Sequence, residues 1–367
     1  MSSVFGGVPR PATIRLSPNR KGARVIHLHF TATDLSRVRF AASPLTETVA
    51  SLRALAAGRR GPHLHRPWID RFAGRADRLR ERDLDLLRAL VRPEGYIPDF
   101  LLPPPGRRSS TFADALAQVA DADPAIVARE LAHLAAHRIA QRGPGREDRR
   151  ALLQALVDRP DAGLGPVTEA LEAYHRVAIA PVWPRIDALL NDDIAYRLDA
   201  LADGGVDRMM SNLHPSVTFA GETLSVVKYY DGHADCGGRG LLLVPCAFAW
   251  PDVLVRTAQP EPPSISYSPR GLGRLWAEQP AQAGSALAGV LGHTRAALLA
   301  QLDLPMSTSQ AATQMALAAP TLSVHLQALR AAGLLTSRRA GRQVLYARTE
   351  LGERLLSEAG RAAVSVR

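Results

Sequence analysis

Residues 307–349 leave the chain less conformational choice than any other stretch. Ser307-Thr308 place hydroxyls at a helix start, where they can accept from the free N–H groups of a first turn. The helix is expected to run through Met315, with a short link from Ala316 to Ala318. In the next segment Leu322, Leu326 and Leu329 recur at helical spacing and make one apolar stripe that must face inward. Ala331-Ala332-Gly333 ends this second helix, with Gly333 as its C-terminal cap. Leu334–Arg338 and Gln343–Arg348 then alternate as a hairpin with Ala340-Gly341 at the tip, where glycine supplies the positive φ a tight turn needs.

The outward face of the second helix is chemically distinctive. Thr321, Ser323, Val324, His325 and Gln327 fall largely outside the leucine stripe, and none is acidic. A helix entering the major groove needs such a face, because it approaches base edges without repelling phosphate. Gln bonds an adenine edge, Ser and Thr bond several edges, and a Val or Thr methyl meets the thymine methyl. Arg338, Arg339 and Arg342 surround the hairpin tip and suit phosphate or minor-groove contact. Helix, turn, helix and basic hairpin together describe a winged helix-turn-helix. Its candidate DNA-contacting residues are Thr308, Pro320, Thr321, Ser323, Val324, His325, Gln327, Arg330, Arg338, Arg339 and Arg342.

The run APTLSVHLQALRAAGLLTSRRAGRQVLYARTELG, residues 319–352, resembles the ArsR-type winged helix-turn-helix of bacterial transcription regulators. The match rests on Thr321, Leu322, Ser323, His325-Leu326, Leu329, Ala332-Gly333-Leu334, Arg338-Arg339, Gly341-Arg342 and Tyr346. The family usually has Ser before the recognition helix; here Ala318-Ala319-Pro320 stand, so a side-chain cap worth roughly 1 kcal/mol is missing, offset in part by proline near the first turn. Metal-sensing members carry paired cysteines in the first helix of the motif. Gln310 to Met315 hold none, so the resemblance implies no metal there. It does imply a homodimer on double-stranded operator DNA, and repression in preference to activation. More loosely, VIHLHFTATDLSRVRFAASPLTETVASLRAL (25–55), RIDALL (185–190) and GRGLLLVPCAFAWPDV (238–253) resemble an actinobacterial set of such regulators with an uncharacterised N-terminal region. That set supplies no catalytic residues.

Charge supports the division of labour. Residues 1–25 hold five basic residues and no acid, and 286–367 hold nine arginines against four acids. The body between them has 31 basic and 31 acidic residues, so the excess lies on the tail and the DNA-reading end. Only Lys21 and Lys228 are lysines among 45 basic residues, a bias that fits a GC-rich genome and inflates the charge without function. The apolar run Leu241–Trp250 is too short for a membrane span and is broken by Pro245. No apolar block opens the chain, and Cys236 and Cys246 make no disulfide framework, so a cytoplasmic, nucleoid-associated protein is expected.

Residues 1–24 read as a disordered tail, and Val25 is a candidate natural start. Residues 25–280 are expected to form a sensor or assembly domain, helical over 25–214 and β-rich over 215–278. Val25–Thr31 alternates like a strand. Ser43-Pro44 opens a helix through Ala57, and further helices are expected near 67–80, 82–91, 111–120 and 124–140. Residues 147–200 are helical, with breaks at Pro160, Pro181 and Pro184. Val217–Ala220, Thr223–Tyr230, Leu241–Pro245, Val253–Thr257 and Ile265–Tyr267 read as strands of one small sheet. Ala286–Leu302 leads into the winged domain, placed at 286–360, and Thr349 opens a closing helix. The fold class is mainly α with a small β-sheet region, an α+β chain ending in a winged helix-turn-helix.

The remaining constellations are weaker. His27/His29, His63/His65 and His133/His137 have ligand-like spacings, but eleven histidines make chance pairs expected, and no metal or cofactor is assigned. The loop Asp231–Gly238 reads as a solvated turn, and the glycines at 237–240 precede a strand, where a phosphate loop needs a helix. Cys246 reads as buried filler. Aromatic residues concentrate at 183–276, and Trp183, Lys228, Tyr230 and Trp250 are the candidate pocket for an unknown small-molecule effector. With no coherent nucleophile, metal or acid–base set, an enzyme is not expected. An enzyme with an appended DNA-binding domain, or an effector-independent architectural protein, stands as the alternative.

Overall fold

The first strand among the described residues lies in the middle of a sheet whose other strands come from beyond the helical region. In the computed structural model, which describes residues 24–57, 63–136, 146–228, 231–276, 286–302, 305–340 and 343–365, β1 (Arg24–His29) alternates as its sequence requires. Ile26 and Leu28 go to the core, and the residues between them face out. Of the expected tail at 1–24, only Arg24 falls within the described residues. A short helix not anticipated from sequence follows, α1 (Ala32–Ser36), opened by a capping box in which Thr31 and Asp34 satisfy each other's backbone N–H groups. Then come β2 (Arg39–Phe40) and α2 (Pro44–Ala57), the latter starting at the Ser-Pro signal.

The helical body continues with α3 (Arg66–Ala73), α4 (Glu81–Leu90), α5 (Phe112–Ala120), α6 (Pro124–Ala136), α7 (Arg146–Asp158), α8 (Pro160–Ala178) and α9 (Trp183–Met210). The helix expected over 67–80 stops at Ala73, and Ala76–Arg78 form only a single 3-10 turn. Proline sets two starts: Pro160 is the first residue of α8 and Pro184 the second of α9. Within α9 the backbone breaks at Gly204-Gly205, where Gly205 has φ 67°.

Two sheets replace the one expected. β3 (Val217–Ala220) and β4 (Thr223–Lys228) form a hairpin across Gly221-Glu222, and β4 pairs antiparallel with β1. The stretch read as a solvated turn holds β5 (Gly232–Asp235), which pairs parallel with β1. Its four-residue alternation is easily read as a turn because positive-φ Gly237 and Gly238 follow at once. The first sheet runs β3-β4-β1-β5. β6 (Leu242–Pro245), β7 (Leu254–Arg256) and β8 (Ser264–Tyr267) join β2 in the order β2-β6-β8-β7. β6 is buried on both sides, the usual condition of a strand with parallel neighbours. Ile26, Leu28, Leu224 and Val226 of the first sheet share a core with Leu243, Ile265 and Tyr267 of the second. The helical stretch read as 25–214 therefore also supplies strands to both sheets.

Buried polar groups tie these layers together. Glu47, in the first turn of α2, accepts from the N–H of Ala247 (2.6 Å), the N–H of Phe248 (3.1 Å) and the Cys246 thiol (3.2 Å). Burial, partly offset by these donors, pushes its carboxyl up to about 7. Cys246 is thus buried, as expected, and also a donor; burial and Glu47 hold its thiol protonated. Asp193 of α9 accepts from Arg197 Nε (3.0 Å), Tyr267 Oη (2.6 Å) and the N–H of Arg270 (2.8 Å).

Candidate nucleic-acid interface

The C-terminal part is built from α10 (Ala286–Leu291), α11 (His293–Gln301), β9 (Met306–Ser307), α12 (Thr308–Met315), α13 (Ala319–Ala331), β10 (Leu335–Ala340), β11 (Gln343–Arg348) and α14 (Glu350–Ser365). Ser307 caps α12 reciprocally with Gln310, at 3.2 and 2.9 Å. The turn between α12 and α13 passes through Ala316 at φ 52°, a left-handed conformation that costs a non-glycine residue about 1–2 kcal/mol. Leu322, Leu326 and Leu329 are buried beneath α13. No side chain caps α13 at Ala318, as the sequence implied, and Pro320 stands in its first turn.

The far end of α13 closes well. Gly333 adopts φ 72°, its N–H reaches the Arg330 carbonyl, and the Leu334 N–H reaches the Leu329 carbonyl. This is a Schellman motif, sealed by two buried leucines. The strands leave directly from it. β10 pairs antiparallel with β11 from Leu335↔Arg348 to Ala340↔Gln343, so β10 extends two residues beyond the expected Arg338. β9 adds a third strand through Met306 and Ser307, which two residues of sequence gave no means to foresee.

Pro320, Thr321, Val324, Gln327 and Arg330 are exposed on α13, while Ser323 and His325 are half-buried. Val324 is 62% exposed, a large apolar side chain facing solvent from the middle of the helix. Thr308 is half-buried at the first position of α12. Arg338 and Arg339 are exposed on β10. Arg330 donates to Ser337 Oγ (3.1 Å), bracing the helix against the hairpin. Arg342 and the tip lie outside the described residues.

This unit is seated on the body. Ser268, Gln301 and Gln314 are fully buried where the loop after β8 meets α11 and α12. Gln314 Oε1 accepts from Ser268 Oγ (3.1 Å) and from Gln301 Nε2 (3.2 Å). A Cβ at Gly273 would overlap Gln301 and Met315, so the loop approaches as closely as glycine permits. The same loop hangs from Asp193 through the N–H of Arg270, and Arg270 lies over the Tyr196 ring at 4.5 Å. The effector candidates sit in the body. Trp250 is buried beside His214, with ring centroids 5.4 Å apart. Lys228 is ion-paired with Asp252 (2.7 Å) and donates to the Val253 carbonyl. Trp183 is half-buried at the first position of α9, and Tyr230 lies outside the described residues.

Two family models match the chain, each over less than half of it. Residues 293–338, from α11 into β10, match a model described as a helix-turn-helix domain. The chain carries a helix-turn-helix domain. Such a domain indicates a DNA-binding regulator. Residues 122–271, from the end of the α5–α6 turn to the loop after β8, match a model described as a family of unknown function, DUF5937. No curated protein and no solved structure matches the chain. Among the described residues, no helix is long and apolar enough to cross a membrane.

Proposed function

We propose that the chain is a one-component transcriptional repressor of ArsR type, whose N-terminal body senses a small molecule and whose C-terminal domain binds operator DNA as a homodimer. The observation that carries this reading is the exposed, acid-free face of α13, with Thr321, Val324 and Gln327 turned to solvent, together with exposed Arg338 and Arg339 on β10. Thr321, Ser323, Val324, His325 and Gln327 are assigned to base edges. Thr308, Pro320, Arg330, Arg338, Arg339 and Arg342 are assigned to the backbone and the groove wall. Support for a two-fold partner comes from the outer helices, where Val290 of α10 is 83% exposed and Leu351 of α14 is 47% exposed. Support for coupling comes from the buried Ser268–Gln314–Gln301 contact, which gives the body a direct hold on α12. An effector alters DNA affinity only by binding two arrangements of this contact unequally. The location that fits this work is the cytoplasm.

The test is recovery of the DNA bound by the full chain in its own cells, followed by binding assays on the recovered fragments against competitor DNA. A shared two-half-site sequence is expected. Uniform weak binding to all fragments would replace the regulator with an architectural protein.

A further inference from the structure

The sheet β3-β4-β1-β5 has two unlike faces. Ile26 and Leu28 of β1 and Leu224 and Val226 of β4 enter the core from one. On the other, register sets His27 between Ser225 of β4 and His233 of β5, and His29 between Thr223 and Asp235. Side chains two apart on a strand project to the same side. His27, His29, His233 and Asp235 therefore occupy a square on the outer face, with a column of hydroxyls along its edge. His29, His233 and Asp235 are exposed and His27 is half-buried.

The imidazoles are close. Ring centroids are 5.2 Å apart for His27 and His233, 6.1 Å for His29 and His233, and 6.3 Å for His27 and His29. Nδ1 of His27 lies 3.0 Å from Ser225 Oγ, and Nδ1 of His29 lies 3.2 Å from Thr223 Oγ1. Each hydroxyl holds one nitrogen of its ring, which leaves Nε2 for a different partner. The three rings lie outside the core that the two sheets share.

We propose that this face binds one divalent transition-metal ion of the zinc class through Nε2 of His27, His29 and His233. The Asp235 carboxylate or a water completes a tetrahedron. Imidazole suits such ions, and three histidines with one open position make a recognised zinc environment. Zn–N bonds of 2.0–2.1 Å put the ring centroids of two tetrahedral ligands about 5 Å apart, so the spacings of 6.1 and 6.3 Å need to close by a little over 1 Å. Ser225 and Thr223 supply the outer hydrogen bonds that orient ligating imidazoles. As they stand the rings are nearly parallel, with interplanar angles of 24°, 24° and 1°, and among the described residues no group of three or more His, Cys, Asp or Glu side chains is placed to hold a metal ion. Convergence takes a change about the Cα–Cβ bond, which moves the ring centroids, together with rotation about Cβ–Cγ, a broad torsion for histidine. The metal draws the rings in.

Zinc alone, titrated into the untagged full chain in competition with a chromophoric chelator, tests this without reference to DNA. One equivalent is expected to bind at micromolar or tighter affinity. His29→Ala and His233→Ala are each expected to weaken it by at least about tenfold, and Ser225→Ala by a smaller factor. His293→Ala on α11 should change nothing. Histidine ring NMR signals of the wild-type chain should move on zinc addition for these three residues and not for the others, a readout that needs no variant to fold. Stoichiometric binding that survives the triple His27→Ala, His29→Ala, His233→Ala change overturns the site, as does a wild-type chain that leaves the chelator loaded or shifts other histidines instead.

Discussion

Ser268 Oγ lies 3.1 Å from Gln314 Oε1, a hydrogen bond made with both residues sealed from solvent between the body and the DNA-reading unit. Gln314 also holds the Gln301 amide, so its removal leaves two donors buried without their acceptor. Gln314→Ala is expected to lower stability by about 2–4 kcal/mol, the cost of two unsatisfied buried groups, read by denaturant unfolding. Ser268→Ala removes one donor and should cost distinctly less. Equal losses would show that Gln314 acts by volume alone.

The wing prediction is electrostatic. Arg339→Ala and Arg342→Ala should each weaken binding to every DNA sequence alike and reduce the slope of log affinity against log salt by about one. Titration at several salt concentrations measures it, and an unchanged slope removes those arginines from the phosphates.

The helix prediction is the opposite in kind. Gln327→Ala should relax preference at one base pair by about 1–3 kcal/mol and leave the salt slope alone. Binding to a panel of single-base operator variants is the measurement. A uniform loss across the panel would move Gln327 to the backbone.

Legibility followed the range of the forces. The DNA-reading unit could be read because its signals are local: the Ser307 cap, the leucine stripe, the Gly333 terminus and the arginines around a hairpin lie within one short segment. Helix starts at Pro44 and Pro124, and the break at Pro160, were legible for the same reason. What escaped were pairings between distant segments. β5 is four residues long, and only β1, two hundred positions earlier in the sequence, makes it a strand. Lys228 carried a pocket assignment because nothing nearby in sequence announced that Asp252 would take its charge. The histidine square combines both cases. The His27/His29 spacing was visible, but the third ring arrived through strand pairing.

Glu47 makes stability depend on pH in a direction unusual for a carboxylate. Its pKa rises from 4.5 to about 7 on folding, so the native state holds the proton more tightly. That contribution is full below pH 4.5 and is lost as pH rises through about 7. Buried His65, pushed down to about 3, acts with the opposite slope, since its contribution is present above 6.5 and is lost as pH falls. The wild-type profile mixes the two, and comparison with Glu47→Gln isolates one. The stability difference, wild type minus variant, should fall by up to about 3 kcal/mol between pH 4.5 and 7. A flat difference across that window would show that Glu47 stays ionised throughout.

Asp193 carries the heaviest single penalty. Its two oxygens take Arg197, Tyr267 and the Arg270 N–H, and both Asp193 and Arg197 are within 1% of complete burial. The Arg197 guanidinium also lies over the Tyr267 ring at 4.7 Å, so it cannot swing to solvent without opening the join between α9 and β8. Asp193→Ala leaves that cation buried and uncompensated, which costs about 3–5 kcal/mol. Asp193→Ala with Arg197→Met should recover a large part of the loss, because two apolar side chains no longer demand hydration. Arg270 joins this cluster to the loop that bears Ser268. The single variant should therefore also speed amide exchange in α12 before global unfolding. Thermal melts of the single and double variants, with exchange followed at Gln314 and Met315, decide it: a double variant no more stable than the single one would mean that the network is held by shape and not by charge.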